Sequence, residues 1–252
     1  NMIASITSAV RCNIENMGNR SKGDYAYTII DTAEAPTEAN LDELRHDLAK
    51  TYQDAIRAFH DAGCRYLQLD DTSWGALFSG RFRAKIEACG YDPDELIDVF
   101  GDITDEALEG RPDDMVITTH MCKGNFMSHW LYEGTYETIA RRLLNIRGFD
   151  GFFLEYDDER SGSFEPLRHL PANTDQRVVL GLVTTKTAEL EDPERIRERI
   201  AEAAKIVPLE RLCLSPQCGF SSTEEGNSVA EEDQWRKLAL VREVAESVWD
   251  DA

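Results

Sequence analysis

From residue 66 onward, short apolar runs alternate with amphipathic helical patterns, and every run leads into polar residues able to do chemistry. Residues 66–70, 115–119, 151–155, 177–183 and 212–215 are too short for stable helices, so they read as strands. Helices are predicted between them, over 77–89, 93–109, 134–146 and 193–206, and beyond the last, from about 230 to 249. Another is predicted over 38–62, where Leu41, Leu44, Leu48, Tyr52, Ile56 and Phe59 recur every three or four positions and Gly63 supplies the stop. Strand–helix alternation of this kind makes a parallel sheet coated by helices, and near-continuous apolar strands are those buried on both faces.

The strand ends narrow the choice of sheet. Asp70-Asp71, His120-Met121-Cys122, Glu155, Thr184-Thr185-Lys186 and Cys218 follow successive strands. A doubly wound open sheet, the rival architecture, gathers its site at one switch point. A barrel carries chemistry all along the rim at its C-terminal strand ends. The expected fold class is therefore α/β, a (βα)8 TIM-type barrel, with residues 1–252 as one catalytic domain. Residues 2–8 give a weak additional strand, and the polar, Gly-containing 13–37 reads as mostly loop. A closed barrel of this type needs eight strands. Its first strands are thus expected to be missing from this chain, which would supply the last five or six βα units behind a poorly patterned lead-in at 1–37.

Charge excludes some partners. The formal charge is −21, from 48 acidic against 27 basic residues, which disfavours binding to a phosphate backbone or an anionic membrane. No apolar stretch approaches the ~20 residues of a membrane span, and no leader pattern opens the sequence. The six cysteines, at 12, 64, 89, 122, 213 and 218, show no disulfide framework and read as reduced thiols of a cytoplasmic protein. Cys64, Cys89 and Cys213 read as structural.

His120, Cys122, Glu155 and Cys218 form a candidate metal set. Residues two apart on a strand point the same way, so His120 and Cys122 can share a face. Imidazole, carboxylate and thiolate all suit zinc, whereas soft sulfur argues against magnesium or calcium. Structural zinc sites use closely spaced knuckles; these ligands are scattered over strand ends, at a functional rim. Each has an ordinary alternative: a packed His–Cys pair, a Glu in an ion pair, a Cys in the tight turn before Gly219. A zinc ion with two thiolates and a carboxylate is a poor generator of hydroxide, which disfavours a hydrolase. It can bind an incoming thiol and lower its pKa, giving a thiolate nucleophile at neutral pH. The chemistry expected is S-alkylation of a thiol.

Four motifs occur in order and at matching spacing: Tyr66-Leu67-Gln68-Leu69-Asp70-Asp71-Thr72, Thr119-His120-Met121-Cys122, Phe153-Leu154-Glu155-Tyr156-Asp157 and Leu214-Ser215-Pro216-Gln217-Cys218-Gly219. Together they resemble the catalytic C-terminal barrel of the cobalamin-independent methionine synthase family, most closely its short single-barrel bacterial members, over residues 38–249. The resemblance implies a zinc-dependent methyltransferase that activates homocysteine as a zinc-bound thiolate and methylates it from a methyl-folate to give methionine. It carries the zinc ligands onto His120, Cys122, Glu155 and Cys218, and the carboxylate that holds the homocysteine amino group onto Asp70, whose plainer role would be capping the next turn. Asp71 lies where many members have Glu. Lys123 could steer an anionic substrate, or be a solvated loop residue.

Two departures stand out. The family's first strands, which contact the homocysteine carboxylate and amino group, have no counterpart motif. Long members also carry a His after the penultimate strand, where this chain has Val183-Thr184-Thr185-Lys186. These departures keep open a related thiol alkyltransferase that uses another thiol or donor, such as a corrinoid methyl carrier or an epoxide. They also keep open an incomplete, non-catalytic barrel that needs a partner.

Overall fold

The computed structural model describes residues 14–22, 25–32, 37–221 and 224–249. Its elements are β1 (Ile14–Lys22), β2 (Tyr25–Thr32), α1 (Glu38–Asp61), β3 (Tyr66–Asp70), α2 (Trp74–Phe78), α3 (Gly80–Ala88), α4 (Pro93–Ala107), β4 (Val116–Met121), α5 (Glu137–Leu143), β5 (Gly151–Glu155), β6 (Arg177–Val183), α6 (Pro193–Ala203), β7 (Leu212–Pro216) and α7 (Glu231–Val248). Short 3-10 turns punctuate the loops at Glu159–Ser161, Glu165–His169 and Leu209–Arg211.

The five expected strands form one parallel sheet in the order β3-β4-β5-β6-β7. Each strand lies beside the next in sequence, so the sheet winds in one direction, as successive strands of a barrel do. No described helix is long and apolar enough to cross a membrane.

The described part of the lead-in differs from expectation. Ile14–Lys22 and Tyr25–Thr32 pair as an antiparallel hairpin, in register from Asn16 opposite Asp31 to Lys22 opposite Tyr25 with an irregularity between Ile14 and Asn16, where a loop was expected. Ile14–Lys22 is mostly polar and contains Gly18, so it lacks the apolar alternation that marks a half-buried strand. The weak strand expected at 2–8, and Cys12, lie outside the described residues.

Helix boundaries follow local chemistry. Thr37 opens α1 with a capping box, its hydroxyl accepting from Asn40 N and the Asn40 side chain accepting from Thr37 N. Gly63 follows with φ +96, the left-handed stop expected of it. Asp92-Pro93 and Asp192-Pro193 open α4 and α6 by one device: the Asp side chain accepts from the N2 amide and Pro takes the first helical position. The helix expected over 77–89 is two, because Ser79 adopts extended backbone between α2 and α3.

One face of the sheet packs under the helices. Ile117, Phe152, Val178 and Leu180 on the strands meet Ile139 and Leu143 of α5 and Ile196 and Ile200 of α6, all buried in one core. On the other face, alternation places Asp70, His120, Glu155 and Gly181 side by side: Asp70 pairs with His120 across β3–β4, and Glu155 with Gly181 across β5–β6. They share this face at two levels: His120 pairs with Phe153, so Glu155 and Gly181 lie two residues further along their strands than Asp70 and His120.

Candidate metal centre

His120 is the penultimate residue of β4, Cys122 follows that strand, Glu155 ends β5, and Cys218 lies in the turn after β7. One ligand atom from each of the four lies within 4.8 Å of all the others. The two sulfurs are 3.7 Å apart, and His120 Nε2 is 3.9 Å from Glu155 Oε1. Two thiolates bound tetrahedrally at ~2.3 Å stand about 3.8 Å apart, so the sulfur spacing fits one shared zinc ion.

Two unsatisfied atoms within the cluster point to the same occupant. His120 Nε2 and Glu155 Oε2 are buried with no hydrogen-bond partner. A buried polar atom without a partner is costly, and a metal ion resolves both at once. Proton affinities agree. Burial pushes the Glu155 carboxyl up to about 7, against the pull of Lys186, the Lys123 amide and His120. The Cys122 thiol is driven up by its contact with Cys218, by burial and by the neighbouring negative charges. Burial opposes charging of His120, but contact with Cys218 and the charges of Cys218, Glu155 and Asp70 raise its pKa overall. Three acidic groups crowded in a dry site cannot all ionise unless a cation joins them.

A hydrogen-bonded frame fixes the two sulfurs. Gln217 Oε1 accepts from Thr185 N and Thr185 Oγ1, at 2.8 and 2.7 Å. Asn125 Nδ2 donates to Thr185 Oγ1 at 3.0 Å and to Gly219 O at 2.8 Å. This ties the loop after β4, which carries Cys122, to the turn that carries Cys218. Gly124 N donates to Cys122 Sγ at 3.2 Å. Tyr136 holds Glu155 from behind, its hydroxyl accepting from Glu155 N at 2.9 Å. A separate cavity of about 270 Å3, lined by Leu48, Tyr52, Leu69, Phe100 and Thr119 among others, contains none of the four candidate ligands.

The model of the family described as "Cobalamin-independent synthase, Catalytic domain" matches residues 22–246. The chain belongs to the cobalamin-independent methionine synthase family. It is 52% identical over 208 residues to YxjH, an uncharacterized protein of Bacillus subtilis (strain 168); the match takes in 82% of this chain and 55% of that protein. A Listeria monocytogenes crystal structure, assigned provisionally as a vitamin-B12 independent methionine synthase, superposes with TM-score 0.66 at 44% identity, over 83% of this chain and 56% of that one. A B12-independent methionine synthase from Shewanella sp. W3-18-1, in complex with selenomethionine, shares the fold with TM-score 0.60 at 17% identity, over 85% of this chain and 57% of that one. The chain thus spans little more than half the length of these relatives.

The remaining residues singled out from the family resemblance divide. Asp70 is exposed at the end of β3, accepts from Gln68 Nε2 at 2.8 Å, and sits beside His120 in register. Turn capping falls instead to Asp71, whose Oδ1 accepts from Ser73 N at 2.9 Å and from the Ser73 hydroxyl. Lys123 is neither a solvated loop residue nor open to a substrate. Its side chain is fully buried, donating to Gly134 O at 2.7 Å and Ser161 Oγ at 3.0 Å over the rings of Phe78 and Tyr136. Its backbone N–H donates to Glu155 Oε1 at 2.7 Å, so it positions a candidate ligand through the main chain. Asn125, Tyr136 and Gln217 escaped the sequence reading. For Gln217 a signal existed, its place beside Cys218; nothing local marked the other two.

Proposed function

We propose that this family member is a zinc-dependent thiol methyltransferase, with His120, Cys122, Glu155 and Cys218 holding zinc, homocysteine as the thiol and a methyl-folate as the donor. The convergence of these four donor atoms from three strand ends carries the reading. When bound, zinc lowers the thiol pKa so that sulfur is present as the nucleophilic thiolate at neutral pH. The chain's own residues do the rest. Asp70, exposed on the adjacent strand end, offers a carboxylate for the substrate's ammonium group. The Asn125–Thr185–Gln217 frame keeps the two cysteines in place.

Metal analysis tests this directly. Freshly prepared protein should hold about one zinc per chain, and Cys218→Ser should lose both zinc and methyl transfer. Zinc-free wild-type protein would sink the proposal. A second reading, a related thiol alkyltransferase with another thiol or donor, draws on one feature: the segment after β6 is Thr184-Thr185-Lys186, without the His of long members. A panel of thiols with methyl-folate, methylcobalamin and epoxides separates the two. Turnover confined to homocysteine with methyl-folate rejects the second.

A further inference from the structure

One buried cation near the cluster has no role in the function proposed above. Lys186 Nζ lies 3.8 Å from Glu155 Oε2 and 3.6 Å from Asp157 Oδ2, with its side chain 9% exposed and those of the carboxylates 0% and 2%. It makes no hydrogen bond. Its location is nonetheless fixed. Lys186 N donates to Thr184 Oγ1, Thr184 N donates to Glu191 Oε1, and Thr185 is tied to Gln217 next to Cys218. The other nearby buried ammonium, that of Lys123, is already committed to Gly134 O and Ser161 Oγ.

Counting charge shows what Lys186 can do. Two thiolates and a carboxylate around a divalent ion leave a net charge of about −1, and a substrate thiolate would bring it to about −2. In a desolvated site that second negative charge is strongly opposed unless a cation stands close by. We propose that Lys186 is a positioning residue that offsets the charge of Glu155 and so allows an anionic thiolate to join the metal. This rests on the metal-bound thiolate reading above. The thiol enters as R–SH, its sulfur bonds to the metal, and its proton leaves to solvent.

Electrostatic and scaffolding roles differ in sign. A cation beside a metal ion weakens metal binding but strengthens anion binding, so its removal should move the two affinities apart. Losing a scaffold lowers both. The test uses cobalt-substituted protein, with homocysteine binding read from thiolate-to-cobalt absorption and zinc affinity from chelator competition. Lys186→Met should weaken thiol binding by about tenfold or more while zinc affinity stays level or rises. Lys186→Arg, which keeps the charge, should bind thiol within about threefold of wild type. Asp157→Asn, which removes a negative charge from the same group, should tighten thiol binding, and it keeps the inference testable if Lys186→Met fails to fold. Thiol affinity unchanged in Lys186→Met, zinc and thiol affinity falling together, or weaker thiol binding in Asp157→Asn would each overturn the proposal. Wild-type protein that holds cobalt yet binds no thiol would instead reject the function itself, and this inference with it.

Discussion

Gly181 gives the sharpest test of how the sheet builds the site. It lies in β6, opposite Glu155 of β5 and Ser215 of β7. A Cβ added there would stand 2.8 Å from Gln217 Cα, 3.0 Å from Leu154 O and 3.3 Å from Pro216 O. Ordinary contacts begin near 3.4 Å, so Gln217 would have to retreat by about 0.6 Å. All three atoms are backbone, and no side-chain rotation relieves the clash. Leu154 O belongs to a central strand, which leaves the end of β7 to move.

Cys218 follows Gln217 directly, and metal sites hold their ligand distances to about 0.2 Å. Gly181→Ala should therefore act twice. Overpacking should cost about 2 kcal/mol, which lowers the midpoint of thermal unfolding by roughly 4–8 °C. Displacing Cys218 should weaken zinc binding by about 10–100-fold, the range seen when groups supporting ligands are disturbed. Calorimetry of metal-free protein reads the first effect and chelator competition the second. Gly80→Ala is the control: its Cβ would meet nothing within 4 Å, and it sits at the start of α3, where Ala suits the helix better. If Gly181→Ala keeps wild-type zinc affinity and stability, the close approach of β5, β6 and β7 does not set the position of Cys218.

Two further substitutions probe the buried charges. In metal-free protein the Glu155 carboxyl is raised to about 7 from an ordinary 4.5, chiefly by burial, so the fold favours its protonated form. The resulting stabilisation is complete below about 4.5 and lost as pH rises through about 7, a change of ~3 kcal/mol. Urea unfolding between pH 4.5 and 8 should show this slope in the wild type and a flatter one in Glu155→Gln; parallel slopes would contradict it. Lys123→Met strands Gly134 O and Ser161 Oγ and removes the cation above Phe78 and Tyr136. It should destabilise by ~2–4 kcal/mol, and an unfolding midpoint within a degree of wild type would show that the ammonium is dispensable.

What the sequence made legible depended on how far each interaction reaches along the chain. The strands from 66 onward were readable because apolar runs are local, and the candidate ligands because each sits where such a run stops. The break at Ser79 was not, since the residues around it, Trp74–Phe78 and Gly80–Ala88, are helical on either side. Nor was the shortening of the helix expected over 134–146 to Glu137–Leu143. Gly134 takes φ +144, and a Cβ there would come within 2.5 Å of Phe78 O, a contact between distant segments. The β1–β2 hairpin was missed for the opposite reason, its first strand having too few apolar residues to show a period.

The two lysines show why ligand motifs alone under-describe a site of this kind. Both are adjacent to recognised motifs, yet sequence assigns neither a partner. Lys123 turns inward to Ser161, 38 residues away, while Lys186 reaches Glu155 from the end of the next strand. Parallel register brings Glu155 level with Gly181 and thereby lets the segment after β6 fold over it. A cation placed in this way depends on the pairing of β5 with β6, and on the Thr185–Gln217 tie to the turn after β7. Changes that shift the register should therefore disturb charge balance and sulfur geometry together, whereas Lys186→Met alters the charge and leaves that geometry in place. The contrast between Gly181→Ala and Lys186→Met separates the two contributions: the first should weaken zinc binding, the second thiol binding only.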